Sequence, residues 1–401
     1  MASVRRRFIG KKMLAYNVQP LAQNNLTGIG YYAANTLRTL LKDGDECELH
    51  VFDFLGRNGA DQNVRNNLGL TSDPEGLITV KGMPLSVYIR LGNAGKIYPY
   101  DRLTGSKADL TVFFNYLAPA GLRGKNIITI YDMVSMRFPE TMDDKNRRLL
   151  QKHLRPSVDN SSAIVTISEF SKREIMELLG VPEERIFVAP CGTDTAFYSP
   201  FSDLSDEDTA RKSLADQFGI DRYILYVGTL EPRKNIKTIV KAFEETAGED
   251  GEVKLVLAGG VGWHSEETLA AIENSPVKNR IVRTGYISNE LKRDLYRCAK
   301  VFVFPSMYEG FGMPVTEAMA CGTPCVISDT SSLPEVAGGK AATVDLYDVK
   351  GYAEAFLRAV NTDISSDERM LLVENARRYT WEATADAYRQ AFSFVKKADM
   401  I

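Results

Sequence analysis

The sequence predicts an α/β protein made of two doubly wound domains, each built on a parallel sheet. Short runs rich in Val, Ile and Phe alternate with longer helical patterns, which is typical of a parallel sheet covered by helices on both faces. A polar, proline-bearing segment without apolar periodicity, residues 191–213, separates two such series and predicts a linker. A chain of 401 residues is long enough for two domains.

The strand candidates form one set before the predicted linker and one after it. We expect a first domain over residues 1–197, a second over residues 198–379, and a last helical pattern at residues 380–401 that packs back on the first. Doubly wound sheets bind ligands beyond the carboxyl ends of their strands, so both domains are expected to face one central cleft. The candidates are "MLAYNV", "CELHVFDF", "DLTVFFN", "NIITIYD", "AIVTIS" and "RIFVAP", then "YILYVG", "KLVLAG", "RIVRTGY", "VFVFPS", "PCVIS" and "AATVD".

Charge and composition limit the classes of partner. The 49 basic and 52 acidic residues give a net charge of −3, which favours neither nucleic acid nor an anionic membrane as a general partner. One basic run, "RRRFIGKK" at residues 5–12, allows local contact with anionic lipid headgroups, and a solvated tail is the alternative. Without a signal-peptide pattern or a membrane-length apolar run, we expect a cytoplasmic protein, either free or peripheral at the inner face of the plasma membrane. Five cysteines without a C-x-x-C spacing predict reduced, mostly buried thiols.

The stretch "FPSMYEGFGMPVTEAMACGTPCV", residues 304–326, carries two carboxylates around a glycine-rich loop. Glu309 falls in the loop after a strand, and Glu317 is predicted in the first turn of the helix that follows. The glycines let the loop backbone approach a ligand closely. Donors and acceptors would then alternate around a small volume, which suits a polyhydroxyl ligand such as a sugar. The backbone N–H groups expected in the cleft are those of Phe311, Gly312 and Met313.

A second motif, "YVGTLEPRKNIKTIVKAF", places Gly228, Arg233 and Lys234 in a turn between a strand and a helix. An arginine can hold a diphosphate by bidentate hydrogen bonds, a lysine can hold it as a compact charge, and a helix start adds backbone N–H groups. A solvated basic pair is the alternative interpretation.

Three further turns follow predicted strands. Gly28 and Gly30 open a helix and could cradle an anion or a hydroxyl, although Ala33 takes the last place of a G-x-G-x-x-G pattern and weakens any nicotinamide interpretation. Asp132 ends a strand as a candidate cleft carboxylate or, equally, as a loop cap. Gly259 suits a tight turn in "LAGGVGWHSEE".

The sequence lacks the motifs of several other catalytic sites. The three histidines are scattered and form no zinc pattern, and neither a G-x-S-x-G elbow nor a G-x-x-x-x-G-K-[ST] loop occurs. We therefore assign no metal. Trp263 and His264 are interpreted as packing and surface residues.

Together these motifs resemble the retaining glycosyltransferases of family four, which have the GT-B fold of two Rossmann-like domains. The likeness extends over nearly the whole chain, through "TGIGYYAANTL", "ITIYDMV", "TISEFSKREI", "PCGTDTAFYSP", "YVGTLEPRKNI", "TGYIS" and "YTWEATADAY". The most specific part is the E-x7-E signature from Glu309 to Glu317 with its glycine-rich loop.

The resemblance implies roles for individual residues. Glu309 would contact the donor sugar near the reacting carbon, with the loop N–H groups on the sugar hydroxyls, and Glu317 would hold the ribose. Arg233 and Lys234 would neutralise the diphosphate leaving group, so neither a metal nor a cofactor besides the nucleotide-sugar co-substrate is expected. In the family's usual account the acceptor attacks from the leaving-group face and a phosphate oxygen takes its proton. Further residues expected around the donor are Gly28, Gly30, Gly228, Gly259 and Tyr286.

One departure affects the identity of the donor. The family commonly has His before the Asp132 position, where it contacts an outer hydroxyl of the donor, and this chain has Tyr131. A 6-deoxy sugar is one donor that the change allows. The residues of the motifs, however, are most similar to those of bacterial mannosyl- and rhamnosyltransferases of polysaccharide assembly, which favours GDP-mannose. The expected acceptor is a glycan or a lipid-linked glycan. The alternatives are a two-lobed sugar-binding protein without catalysis and a glycosidic phosphorylase of the same fold.

Overall fold

The computed structural model describes most of the chain as two parallel α/β sheets flanked by helices. The predicted basic run at residues 5–12 lies outside the described residues, and so does the end of the last helical pattern. The described residues are 13–24, 26–44, 46–53, 59–70, 77–80, 84–92, 99–119, 121–122 and 124–397.

The first sheet has the order β3-β2-β1-β4-β5-β6-β7, and its paired strands are parallel. Each strand candidate of the first set lies on one of these strands. The sequence analysis missed β3, a four-residue strand at the edge of the sheet. The strands are β1 Leu14–Asn17, β2 Cys47–Phe52, β3 Leu77–Val80, β4 Leu110–Phe113, β5 Lys125–Thr129, β6 Ala163–Thr166 and β7 Ile186–Val188.

The second sheet has the order β10-β9-β8-β11-β12-β13, again with parallel pairs. Its strands coincide with the second set of candidates, so the predicted pair of doubly wound parallel sheets is confirmed. The strands are β8 Tyr223–Val227, β9 Lys254–Ala258, β10 Ile281–Gly285, β11 Val301–Phe304, β12 Cys325–Ser328 and β13 Ala342–Val344.

Helices connect the strands of both sheets. The α-helices are α1 Gly28–Leu41, α2 Ala60–Leu68, α3 Leu85–Gly92, α4 Tyr100–Thr104, α5 Val134–Arg137, α6 Asp144–Asp159, α7 Glu169–Leu179, α8 Leu204–Phe218, α9 Ile236–Glu249, α10 Glu266–Glu273, α11 Asn289–Cys298, α12 Met313–Ala320, α13 Leu333–Ala337, α14 Val349–Asn361, α15 Ser366–Arg377 and α16 Trp381–Lys397. Short 3-10 helices cover Gln19–Leu21, Pro139–Thr141, Glu183–Arg185, Pro232–Lys234 and Lys278–Arg280.

The prediction that all of residues 191–213 form a linker is wrong, because α8 begins inside that segment. Asp203 caps the helix by accepting a hydrogen bond from the Ser205 backbone N–H at 2.8 Å. Glu207 and Arg211 form an ion pair one turn apart. Few side chains of α8 are buried, so the helix lacks the apolar periodicity that would have predicted it.

Two separate hydrophobic cores accompany the two sheets. We call the part around the first sheet the first lobe and the part around the second sheet the second lobe. Helix α16 packs against α1, β6 and β7 of the first lobe, where the Tyr388 and Thr129 hydroxyls lie 2.8 Å apart. The C-terminal helix therefore contributes to the core of the lobe that begins the chain.

The cysteines agree with the expectation from composition. All five cysteines are free thiols and four are buried, with Cys47 partly exposed. No helix within the described ranges has the length and apolar character needed to cross a membrane.

Candidate active site

The candidate site lies where the strand order of the second sheet reverses. Strands β8 and β11 are neighbours in that sheet although two strands, β9 and β10, lie between them in sequence, so the helices that follow them diverge and leave a crevice. Arg233 and Lys234 follow β8, and Glu309 follows β11. The sheet topology thus brings together two motifs that are about 75 residues apart in sequence.

Backbone hydrogen bonds fix the loop after β8. The Lys234 N–H donates to the Glu231 carbonyl at 3.0 Å and closes the 3-10 turn that Pro232 opens. Asn235 ends this turn with a φ of 53°. The Met307 N–H donates to the Arg233 carbonyl at 2.8 Å, which joins this loop to the one after β11.

Glu309 lies between two cations. One carboxylate oxygen is 2.5 Å from the Lys234 ammonium, and the other is 3.1 Å from the Arg233 guanidinium. Arg233 also pairs with Glu231 at 2.9 Å and donates to the Tyr308 carbonyl. The Lys234 ammonium lies 5.1 Å from the centre of the Phe304 ring, within range of a cation–π contact. We call Arg233 and Lys234 the cation clamp.

Burial and charge act in opposite directions on these groups. Burial by itself raises the pKa of Glu309, but the charges of Arg233 and Lys234 outweigh it and hold that pKa at about 2. Burial lowers the pKa of the Lys234 ammonium, and Glu309 partly offsets this effect. Burial also lowers the pKa of Arg233, but the Glu309 and Glu231 carboxylates reverse the direction and raise it. Glu309 is therefore ionised at neutral pH.

The glycine loop, which we define as residues 309–313, presents backbone donors. The N–H groups of Phe311, Gly312 and Met313 have no hydrogen-bond partner among the described residues. Gly312 has a φ of 100°, and a Cβ there would lie 2.7 Å from the Leu333 side chain, so a larger residue does not fit. Three consecutive backbone donors are thus available to a ligand.

Two serines hold the first residue of the glycine loop. The Glu309 N–H donates to the Ser331 hydroxyl at 3.0 Å. The Ser332 hydroxyl lies 3.0 Å from both the Glu309 and the Phe311 carbonyls and can donate to either. The backbone around Glu309 is therefore fixed independently of its carboxylate.

Glu317 occupies a separate, buried position. Helix α12 begins at Met313, so Glu317 lies a full turn inside the helix and not in its first turn as predicted. Lys292 donates to its carboxylate at 2.9 Å, and the Tyr296 hydroxyl donates at 3.1 Å. Glu317 thus belongs to a polar group near the clamp but not in contact with it.

Asp132 faces the clamp from the first lobe. Its carboxylate accepts a hydrogen bond from the Val134 N–H at 3.1 Å, as the loop-capping alternative expects, and its role as a cleft carboxylate stays a prediction. Burial raises the pKa of Asp132, and the charge of Arg233 opposes the rise. The same carboxylate therefore binds the first N–H of α5 and lies within electrostatic range of the clamp.

Tyr131 points away from the clamp. Its ring packs edge-on against Tyr32 and Tyr116, with ring centres 5.4 and 5.6 Å away, and its hydroxyl donates to the Phe114 carbonyl at 3.3 Å. The side chain is part of the core of the first lobe. A role for Tyr131 in donor choice stays a prediction.

The two glycines of the first turn have different surroundings. Gly28 begins α1, and a Cβ there would lie 3.6 Å from the Met313 methyl of the second lobe. Gly30 packs under Leu26 and the Pro20 carbonyl, both 2.9 Å from where its Cβ would be. Only Gly28 therefore borders the junction of the lobes.

Gly228 and Gly259 lie against each other. Their φ values are 152° and 150°, and a Cβ on Gly259 would overlap the Gly228 carbonyl. The contact brings the loop after β9 alongside the loop of the clamp, where Leu230 and Val261 form a short parallel bridge. Tyr286, which follows β10, is 82% exposed and does not belong to the cluster around the clamp.

The fold also places at the site several residues that the sequence motifs did not single out. Glu231 is 3% exposed and pairs with Arg233, Lys292 holds Glu317, and Tyr308 reaches across to the first lobe. Trp263, which we interpreted as a packing residue, donates from its indole N–H to the Thr141 carbonyl of the first lobe at 2.7 Å. The clearest signal was the position of Glu231 and Tyr308 within the two motifs already identified.

Comparison with known proteins agrees with this geometry. Residues 26–197 match the family model described as Glycosyltransferase Family 4, and residues 210–379 match that described as Glycosyl transferases group 1. The O-antigen chain mannosyltransferase B of Escherichia coli is 30% identical over 380 residues, which cover 91% of this chain and 96% of that protein. The serotype-specific mannosyltransferase WbdA of E. coli is 26% identical over 67% of this chain, which spans only 33% of that longer protein.

Solved structures support the same fold. The sucrose-phosphate synthase of Thermosynechococcus elongatus superposes with a TM-score of 0.68 at 19% identity, covering 96% of this chain and 100% of that one. Fold, motif geometry, the two family models and a relative similar over nearly its entire length lead to one conclusion. The chain belongs to the GT-B glycosyltransferases of family four.

Proposed function

We propose that this glycosyltransferase moves a mannosyl residue from GDP-mannose to a hydroxyl of a glycan or lipid-linked glycan, with retention of the anomeric configuration and without a divalent metal. The observation that carries the proposal is the buried cluster of Glu309, Arg233 and Lys234 beside three backbone N–H groups that have no partner in the part of the chain that the structure describes. The likeness to an O-antigen chain mannosyltransferase supports the choice of sugar and of acceptor class.

The clamp has hydrogen-bonding capacity left for a diphosphate. A guanidinium carries five N–H donors and an ammonium three. Arg233 contacts Glu231, Glu309 and the Tyr308 carbonyl, and Lys234 contacts Glu309, so donors remain on both cations. Phosphate oxygens could therefore bind without breaking the cluster.

The clamp would act most strongly in the transition state. When the bond between the sugar and the phosphate breaks, positive charge develops on the ring and negative charge on the departing diphosphate. Arg233 and Lys234 would stabilise the transition state, which carries this developing negative charge, more than they stabilise the ground state. Such a difference in stabilisation accelerates a reaction. Two fixed cations provide the charge that a metal ion supplies elsewhere, and this is the reason to propose metal independence.

The sugar ring is expected beside Glu309. The carboxylate is ionised and next to the positions at which the positive charge would develop, and the N–H groups of Phe311, Gly312 and Met313 would bind sugar hydroxyls. The acceptor oxygen would bond to the anomeric carbon from the side of the leaving group, and its proton would pass to a phosphate oxygen. The products are GDP and the new glycoside. Glu317 would bind the ribose, and Asp132 would bind a hydroxyl from the side of the first lobe.

A donor panel tests the proposal. Purified protein is incubated with GDP-mannose, UDP-glucose, dTDP-rhamnose or ADP-glucose and a lipid-linked glycan extract, with and without EDTA, and the anomeric configuration of the product is read by NMR. We expect transfer from GDP-mannose, an α-linked product and no loss of rate with EDTA. Transfer from another donor, an inverted product or a chelator-sensitive rate would each refute the corresponding part. Phosphorolysis of a glycoside would favour the phosphorylase alternative, and nucleotide-sugar binding without turnover would favour the binding protein.

A further inference from the structure

Tyr308 belongs to the second lobe by its backbone and to the first lobe by its side chain. It directly precedes Glu309, and its carbonyl accepts a hydrogen bond from the Arg233 guanidinium of the clamp. Its side chain crosses between the lobes and is buried, with the residue 3% exposed. A single residue thus connects the clamp with the opposite lobe.

The first lobe receives this side chain in a socket made by Met133, Phe138, Phe170 and Glu174. Phe138 and Phe170 flank the Tyr308 ring, with ring centres 5.4 and 5.6 Å away. At the bottom, the hydroxyl accepts from the Met133 N–H at 2.9 Å and donates to the Glu174 carboxylate at 2.9 Å. The two phenylalanine rings thus complement the Tyr308 ring, and the Met133 N–H and the Glu174 carboxylate complement its hydroxyl.

The socket is itself rigid. Glu174 lies on α7, and its other carboxylate oxygen accepts from Arg137 at 2.8 Å, so its orientation is fixed from two sides. A hydrogen bond to a charged acceptor is about twice as strong as a neutral one. The hydrogen bond to Glu174 therefore holds the Tyr308 hydroxyl more firmly than packing of the ring alone would.

The socket adjoins both candidate carboxylates. Met133, which donates to the hydroxyl, follows Asp132 in the chain, and Tyr308 precedes Glu309. Next to the socket, the Ser171 hydroxyl lies 3.2 Å from the Tyr131 carbonyl and 3.4 Å from the Gly310 carbonyl. A shift of the Tyr308 ring would change the separation of the Asp132 and Glu309 loops directly.

We propose that Tyr308 is a positioning residue for glycosyl transfer, whose ring in the socket sets how the first lobe, with Asp132, stands against the clamp and the glycine loop. This inference rests on the proposed function for the reaction that it serves. Because the hydrogen bond from Arg233 goes to the Tyr308 carbonyl and not to its hydroxyl, loss of the hydroxyl should leave the clamp intact and disturb the closure of the lobes.

The test replaces Tyr308 by Phe, which keeps the ring and removes the hydroxyl. We expect kcat for transfer to fall roughly 10- to 100-fold, the range for losing one or two hydrogen bonds of which one is to a charged group. The KM for the donor should stay within about threefold, and a larger share of the donor should be hydrolysed because a loosened cleft admits water. Rates are measured with whichever nucleotide sugar the wild type uses, so a wrong donor assignment would not affect this comparison.

A matched control is Tyr223→Phe, which removes another buried hydroxyl, one that donates to the Leu295 carbonyl at 2.7 Å inside the second lobe. It should lose comparable stability and keep the wild-type ratio of transfer to hydrolysis. Small-angle scattering without ligand should show a larger radius of gyration for Tyr308→Phe than for wild type or control. This readout does not depend on activity.

A double-mutant cycle with Glu174→Ala completes the test. If both residues act through one contact, the double variant should be no more than about threefold slower than the slower single variant. Two results would overturn the proposal. One is a kcat for Tyr308→Phe within twofold of wild type, and the other is a double variant whose fold-loss in kcat equals the product of the two single losses. If Glu174→Ala does not fold, the comparison of Tyr308→Phe with Tyr223→Phe decides alone.

Discussion

Replacing Glu309 by Gln removes the negative charge between the two clamp cations and nearly preserves the shape of the side chain. Its pKa of about 2 lies well below the ordinary 4.5, and a difference of this size corresponds to about 3 kcal/mol of stabilisation at neutral pH. The carboxylate is 11% exposed, so solvent screens this interaction little. We expect the variant to lose about 3 kcal/mol at pH 7.

The pH dependence follows from the direction of the shift. A carboxyl with a lowered pKa in the folded protein stabilises fully above its unfolded pKa of about 4.5, and this stabilisation is lost as the pH falls towards 2. The difference between wild type and Glu309→Gln should therefore be largest at neutral pH. At pH 3 roughly half or less should remain.

The assay is urea unfolding of both proteins at pH 7, 5 and 3, followed by circular dichroism. Glu382→Gln is the control, because that carboxylate is 67% exposed and pairs with an exposed lysine. It should match wild type at every pH. A Glu309→Gln variant as stable as wild type at pH 7, or a difference independent of pH, would refute the argument that the two cations hold Glu309 ionised.

Two other predictions test the loops around the clamp. Gly259→Ala should lower the melting temperature and abolish nucleotide binding, because its Cβ would overlap the Gly228 carbonyl, whereas Gly248→Ala meets no atom within 4 Å and should do neither. Calorimetry and nucleotide titration measure both effects, and a normally binding Gly259→Ala protein would contradict the steric argument. Trp263→Phe should raise the share of donor lost to hydrolysis, because it removes the indole hydrogen bond to Thr141 that joins the lobes. An unchanged ratio of transfer to hydrolysis would show that this contact does not control closure.

The parallel sheets could be predicted from the sequence because each buried strand is a compact apolar run bounded by turn residues. The edge strand β3 was missed although it is as long as β1 and β4, both of which were predicted, so its length does not explain the omission. Helix α8 was missed for a reason that the structure shows. The helix has a capping Asp203, one Glu207–Arg211 ion pair and only two buried residues, Ala210 and Leu214, so apolar periodicity could not indicate it.

The cluster itself was predictable in part. Arg233, Lys234 and Glu309 stand in motifs at strand ends, and parallel sheets bring strand ends together at one edge. The contacts across the lobes were not predictable. The Tyr308 and Glu174 side chains meet over 134 residues of sequence, and their contact depends on how two separately folded lobes dock. Neither residue shows a local pattern that indicates its partner.

The transfer rate of Arg233→Ala, measured with the donor that the wild type uses, decides whether the clamp carries the reaction. We expect a kcat/KM at least about 100-fold below wild type, since a fixed cation at the leaving group contributes several kcal/mol in the transition state. Circular dichroism should show a folded protein, and added guanidinium ion should restore part of the rate. Near-normal turnover by a folded Arg233→Ala protein would contradict the claim that the clamp carries the reaction.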